Sequence, residues 1–155
     1  VKVLVVCVGK AKGPLAAAIA EYEERLRHYF SFETREVREE SARRGIDLAR
    51  VKDEEGKRLL AAVPPGARVV ALDPAGAAWS SERLSSYLSD LALGAVNGVA
   101  FLIGGAYGLS DAVLQAAHVR LSLSAFTLPH ELARLVLTEQ LYRAGTIARG
   151  EPYHK

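Results

Sequence analysis

Apolar residues along the chain fall into two kinds of pattern. Unbroken runs occur at VKVLVVCVG (1–9), ARVVALD (67–73) and GVAFLIGG (98–105), each closed by Gly or Asp. Runs of this length, rich in Val, Leu and Ala, predict strands buried on both faces and therefore a parallel sheet. Between them apolar residues recur at helical spacing: Leu15, Ile19, Tyr22 and Leu26, then Leu48, Val51, Leu59 and Leu60, then Leu84, Leu88 and Leu91. These predict three helices with one apolar face each. FSFETREVRE (30–39) predicts a more exposed strand, and a short helix near 110–118 followed by a strand near 119–124 completes the alternation. Strand and helix alternate throughout, which defines an α/β class, and 155 residues suit one domain spanning 1–155.

The last pattern differs. TLPHELARLVLTEQLYRAGTIARG (127–150) predicts a long helix with Pro129 in its first turn and Gly150 beyond its end. Leu132, Leu135, Val136 and Leu141 point in more than one direction around it, which fits either a central core position or a dimer interface. SARRG (41–45) predicts a charged loop.

Composition narrows the class further. The single cysteine, Cys7, sits inside an apolar run and reads as a buried, inert thiol; one cysteine makes neither an internal disulfide nor a cysteine-rich zinc site. No 18-residue apolar span exists and the first residues lack a signal-peptide layout, so a soluble, cytoplasmic protein is expected, without membrane or metal. A net charge of +2 is too mild to announce nucleic-acid binding. Its distribution is uneven: residues 1–58 hold 13 Lys or Arg and 11 Asp or Glu, the remainder seven of each. A charge-poor second part suggests a surface covered by another subunit.

The densest candidate chemistry is FLIGGAYGLSD (101–111). Ligands of open α/β sheets bind beyond the carboxyl ends of strands, and both LDPAG (72–76) and IGGAYG (103–108) are such ends. Gly104 and Gly105 leave backbone groups open to a planar, polar ligand; equally, they suit a tight turn requiring positive φ. Asp73 to Gly76 reads equally as a simple turn. The dinucleotide fingerprint fails because Ile103 stands where its first glycine belongs, no nucleoside-triphosphate loop is present, and a receiver-like Asp73 lacks acidic partners at Cys7, Val8 and Gly9.

LDPAG, LIGGAYGLS, LSLSAFTLPHELARLVLTEQLYRA and the terminal EPYHK together resemble the ribosomal RNA large subunit methyltransferase H family, a branch of the SPOUT methyltransferases, from VGK near the start to the last residue. The resemblance implies a SPOUT-type parallel sheet with helices on both faces and a C-terminal trefoil knot. It implies a homodimer that methylates N3 of a pseudouridine in 23S ribosomal RNA, in the large subunit or assembled ribosome, using S-adenosylmethionine. It places that cofactor on Leu72 and Asp73, on Gly104 and Gly105, and on Leu123, Ser124, Ala125, Phe126, Thr127, Leu128 and Pro129. Tyr107 departs from the small or acidic residues usual in that loop.

Methyl transfer to an imide nitrogen needs alignment and a proton acceptor. His154, the one imidazole of the tail, is the candidate for the proton, Tyr153 for stacking or hydrogen bonding, Lys155 and Arg143 for anion or phosphate. Taken without the resemblance, the same tail reads as frayed. His130 suits an RNA contact or a helix-capping role, and Lys10 and Lys12 an RNA contact or a solvated face. Arg134 is a weaker substrate candidate than Arg143, and His28 and His118 read as surface residues. A non-catalytic nucleotide-sensing or receiver-like domain is the alternative; it has no use for EPYHK.

Overall fold

A computed structural model describes residues 1–41 and 47–155, so most of the SARRG loop lies outside the described residues. The elements alternate as the pattern predicts: β1 (Lys2–Val8), α1 (Ala16–Leu26), β2 (Ser31–Val37), α2 (Leu48–Ala61), β3 (Arg68–Ala78), α3 (Ser81–Leu93), β4 (Gly98–Ile103), α4 (Asp111–Ala116), β5 (Val119–Ser122) and α5 (His130–Ala148). The five strands form one sheet in the order β2-β1-β4-β3-β5, and every pairing is parallel.

Strand periodicity divides the core. Val3, Val5 and Cys7 of β1 join Phe101, Leu137 and Leu141 on one face, while Leu4, Val6 and Val8 join Leu59, Leu102 and Val113 on the other. Alternate side chains of a strand point to opposite faces, so a strand covered on both sides must be apolar throughout. Helices α1, α3 and α5 thus lie on one face, α2 and α4 on the other.

Three features went unseen in the pattern. The strand expected to stop at residue 73 continues to Ala78. Its register against β5 shifts between Leu72 and Ala77, because Pro74 has no N–H for the ladder, and Asp73 to Gly76 bulge outward. The wide apolar arc of α5 divides: Leu141 is fully buried in the chain's own core, whereas Leu132, Leu135 and Val136 are half-buried. Arg134 is buried in an ion-paired cluster, its Nη2 3.2 Å from Glu23 Oε2 and its Nη1 2.7 Å from Glu36 Oε2, which ties α5 to α1 and β2. That employment removes Arg134 from the substrate candidates.

Cys7 is buried as expected, and burial pushes its thiol up to about 11. His28 is exposed. His118 is exposed too but has a partner: its Nδ1 accepts the Val69 N–H at 2.9 Å while its own N–H reaches the Val69 carbonyl at 2.8 Å, so it fixes the start of β3.

Candidate active site

Three loops meet beyond the carboxyl ends of β3, β4 and β5 around a cleft of about 370 Å³. The β3 bulge contributes Leu72, Asp73 and Pro74; the glycine loop contributes Gly104 and Gly105; the β5–α5 loop contributes Leu123, Ser124, Phe126, Thr127 and Leu128. Ala125 and Pro129 belong to the same loop but do not line the cleft. His130, the first residue of α5, does.

Each loop is held by its own chemistry. Asp73 Oδ1 accepts the Ala75 N–H at 3.0 Å, a turn-forming bond. Ser124 Oγ accepts the Phe126 N–H at 2.9 Å, and Ser122 Oγ donates to the Ser124 carbonyl at 3.1 Å. In the glycine loop only Gly108 takes the left-handed conformation, at φ 87°. Gly104 and Gly105 are required by crowding instead. A Cβ on Gly104 would stand 2.7 Å from the Gly108 carbonyl carbon, and one on Gly105 would stand 2.9 Å from Glu55 Oε1. The missing side chain of Gly105 therefore makes room for a buried glutamate beneath the loop rather than for a ligand above it.

The remaining candidates lie elsewhere. Residues 151–155 do not line the cleft. Arg143 sits about 20 Å along α5 from His130 at the helical rise of 1.5 Å per residue. The tail is not frayed. The Tyr153 ring meets Tyr142 edge-on at 4.7 Å, and its hydroxyl donates to Glu139 Oε1 at 3.1 Å. The Arg143 guanidinium stacks over that ring at 4.8 Å while donating to Glu139 Oε1 at 2.6 and 2.9 Å. His154 lies between Arg143, 3.1 Å from its Nδ1, and Glu82, which contacts its Nε2. Lys155 is exposed beside them.

Charge settles who can do what in this cluster. Burial, with side-chain hydrogen bonding to Tyr22 and Glu139, pushes the Tyr153 phenol up, so it stays an O–H donor and does not serve as a base. The bond to Glu139 raises Arg143 further, keeping it a permanent cation. The His154 contact lowers Glu82 and keeps it a carboxylate. Both ring nitrogens of His154 are engaged, Nδ1 by Arg143 and Nε2 by Glu82, so the imidazole takes up a proton only when one of these contacts opens. Glu139 was legible in principle as the i,i+4 partner of Arg143. Glu82 gave no signal, since only tertiary packing brings it to residue 154.

Lys10 and Lys12 are exposed on the β1–α1 loop, and the Lys12 backbone N–H donates to Glu131 Oε1 at 2.9 Å, which docks that loop on the first turn of α5 beside the cleft. Tyr107 and Phe126 are exposed at the cleft's rim. Glu55 is 4% exposed; its Oε2 accepts the Glu40 N–H at 3.1 Å, while Oε1 has no hydrogen-bond partner among the described residues. Burial raises its pKa. Nothing in the charged run KDEEGKR separates it from its solvated neighbours.

The sheet order and the cleft built from three strand-end loops match a known class. Residues 1–154 match the family model described as "Predicted SPOUT methyltransferase". A methyltransferase from Legionella pneumophila, solved in complex with the cofactor SAM, superposes with a TM-score of 0.51 over 92% of this chain and 66% of that one, at 13% identity, a likeness of fold. The protein is thus a methyltransferase of the SPOUT class. Ribosomal RNA large subunit methyltransferase H of Gemmatimonas aurantiaca is 47% identical, with 99% of both chains covered, and that of an Anaeromyxobacter species 51% identical with 97% of both covered. The chain belongs to the ribosomal RNA large subunit methyltransferase H family.

Proposed function

We propose that this protein is a cytoplasmic homodimer that transfers a methyl group from S-adenosylmethionine to N3 of a pseudouridine in 23S ribosomal RNA, in the large subunit or assembled ribosome. The cleft between the β3 bulge, the glycine loop and the β5–α5 loop carries this reading, in a chain whose full-length relatives bear that enzyme's name. The residues present fit the cofactor: Leu72, Leu123 and Leu128 offer apolar surface for an adenine, and the backbone of the glycine loop that lines the same cleft offers polar groups for its edge. When bound, S-adenosylmethionine supplies an electrophilic methyl on a sulfonium. This reading includes the family's C-terminal trefoil knot, with all 155 residues acting as one methyltransferase domain.

The tail's position favours catalysis across a subunit interface. Within one chain residues 153–155 stand far down α5 from the cleft, yet the Arg143–His154–Glu82 cluster is built as a proton-handling group. A two-fold pairing over the half-buried Leu132, Leu135 and Val136 would present this cluster to the partner's cleft. There His154 would accept the proton leaving N3, and Arg143 and Lys155 would stabilise the resulting imide anion. Lys10, Lys12 and His130 line the approach for RNA phosphates. Leu135→Lys is expected to give folded monomers in sedimentation, whereas Leu141→Lys unfolds the chain because Leu141 belongs to its own core. A Leu135→Lys protein that stays dimeric removes this face from the interface.

The reading is tested by calorimetry with S-adenosylmethionine and its demethylated product, followed by single-turnover methylation of ribosomes carrying unmethylated pseudouridine. Binding and a methyl on N3 are expected. No heat with either nucleoside overturns the cofactor assignment, and cofactor binding without methylation of any 23S pseudouridine overturns the substrate.

A further inference from the structure

The exposed side of α3 carries a group of aromatic and cationic side chains that neither the cleft nor the tail uses. Trp79, the chain's single tryptophan, stands just ahead of the helix N-cap Ser80 and packs partly against the core. The Tyr87 ring lies 5.0 Å from it, and the Arg83 guanidinium sits over it at 4.9 Å. Arg83 is fixed at its root as well, because its N–H donates to Ser80 Oγ at 3.1 Å. Arg68, at the start of β3, comes to the same place: burial raises the Tyr87 pKa, and the charges of Arg68 and Arg83 both oppose that rise. Residues 83 and 87 are one helical turn apart, so the four side chains form a continuous strip.

Both arginines are exposed, and neither is ion-paired among the described residues. On the neighbouring helices of the same face Arg25, Arg134 and Arg143 each hold a carboxylate. Asp90, three residues beyond Tyr87 and also exposed, offsets one of the two charges and leaves the strip positive. The contact with Trp79 holds the Arg83 guanidinium flat, so it has less freedom to lose when it engages a partner. Such a group suits a polyanion that carries planar bases: phosphate oxygens take its N–H groups in pairs, and a nucleobase can stack on its plane. Its place in the fold points to the substrate. The strip begins one residue from Glu82, which contacts His154.

We infer that this strip is a docking surface for ribosomal RNA, in which Arg83 and Arg68 take backbone phosphates of the strand that leads the target nucleotide to the His154 cluster, and Trp79 holds Arg83 in place for that contact. The inference rests on the RNA-methylating function proposed above. It gives two uncompensated cations a partner, and it gives a chain of net charge only +2 a local positive surface where its substrate has to arrive.

Affinity for ribosomes carrying unmethylated pseudouridine, measured against salt concentration, tests this. Phosphate contacts release counterions, so log affinity falls with log salt, and losing one contact makes that slope shallower by about one. Arg83→Gln and Arg68→Gln are each expected to weaken ribosome binding about tenfold at low salt and to flatten the slope by about one. The single-turnover rate at saturating ribosomes and the affinity for S-adenosylmethionine stay within about twofold of wild type, since neither residue lines the cleft. Arg83→Lys keeps the charge without the plane and is expected to restore the slope but only part of the affinity. Arg50→Gln, on α2 across the sheet, removes the same charge and is expected to change neither affinity nor slope. An unchanged slope in Arg83→Gln overturns the inference, even where affinity falls, because the contact is then made to a ribosomal protein and not to phosphate. Equal losses in Arg83→Gln and Arg50→Gln overturn it as well, since net charge alone is then being read. Failure of the wild-type protein to bind ribosomes overturns the substrate assignment and this inference with it.

Discussion

Removing residues 151–155 lowers single-turnover methyl transfer by at least about 100-fold, the loss that follows from withdrawing a positioned proton acceptor, while cofactor affinity changes little. The separation follows from geometry, since none of these residues lines the cleft. The tail is nevertheless packed. Glu151 accepts a hydrogen bond from the Tyr29 hydroxyl at 2.6 Å, and Tyr153 wedges between Tyr142 and Arg143. A modest fall in melting temperature therefore accompanies the truncation, and His154→Ala is the cleaner variant, because it keeps Tyr153 in place and removes only the imidazole. His154→Ala is expected to reproduce most of the kinetic loss. It also removes the limb of the pH–rate profile in which a base must be unprotonated, whereas an imidazole that merely orients its neighbours leaves the profile's shape unchanged. A truncated enzyme that methylates at the wild-type rate removes the tail from the mechanism altogether.

The parts of this molecule visible in its sequence are those whose physics is local. Runs such as VLVVCV could only be doubly covered strands, and the i, i+4 spacing of Leu84 and Leu88 could only be a one-faced helix; both stand in the structure as expected. Two of the loops that line the cleft, LDPAG and IGGAYG, were legible because ligands of such sheets sit beyond strand ends; the third, 123–129, was marked only by the family resemblance. Properties set by distant neighbours were not legible. Gly104, Gly105 and Gly108 look alike in sequence, yet only Gly108 needs positive φ, while the other two answer to the Gly108 carbonyl and to Glu55. Glu23, Glu55 and Arg134 lie among charged residues that read as solvated, and only the packing of α1, α2 and α5 buries them. Periodicity also left open which leucines of α5 serve the core, because a helix with apolar groups on two sides states that two surfaces exist but not which is internal.

The sharpest consequence of the tail's location is that two inactive proteins should make an active one. Gly104→Ala places a Cβ 2.7 Å from a backbone carbonyl carbon, and because backbone cannot swing aside, the glycine loop must distort and its cleft fails. The tail of that chain is untouched. The 151–155 truncation has the opposite defect, an intact cleft without a tail. If each site joins one subunit's cleft to the other's tail, a dimer of the two variants holds one complete site, formed by the truncated chain's cleft and the Gly104→Ala chain's tail. If cleft and tail act within one chain, it holds none. Mixed dimers isolated through two different affinity tags are therefore expected to recover about half of the wild-type rate, each two-fold assembly having one of its two sites restored. Each variant alone remains at background. Recovery near half excludes catalysis within one chain, since no rearrangement inside either protomer supplies both elements. Mixed dimers as inactive as their parents, in a preparation that still binds cofactor through the truncated chain, place the Arg143–His154–Glu82 cluster outside the reaction and assign the proton to a group at the cleft itself, where His130 and Asp73 are candidates to accept it.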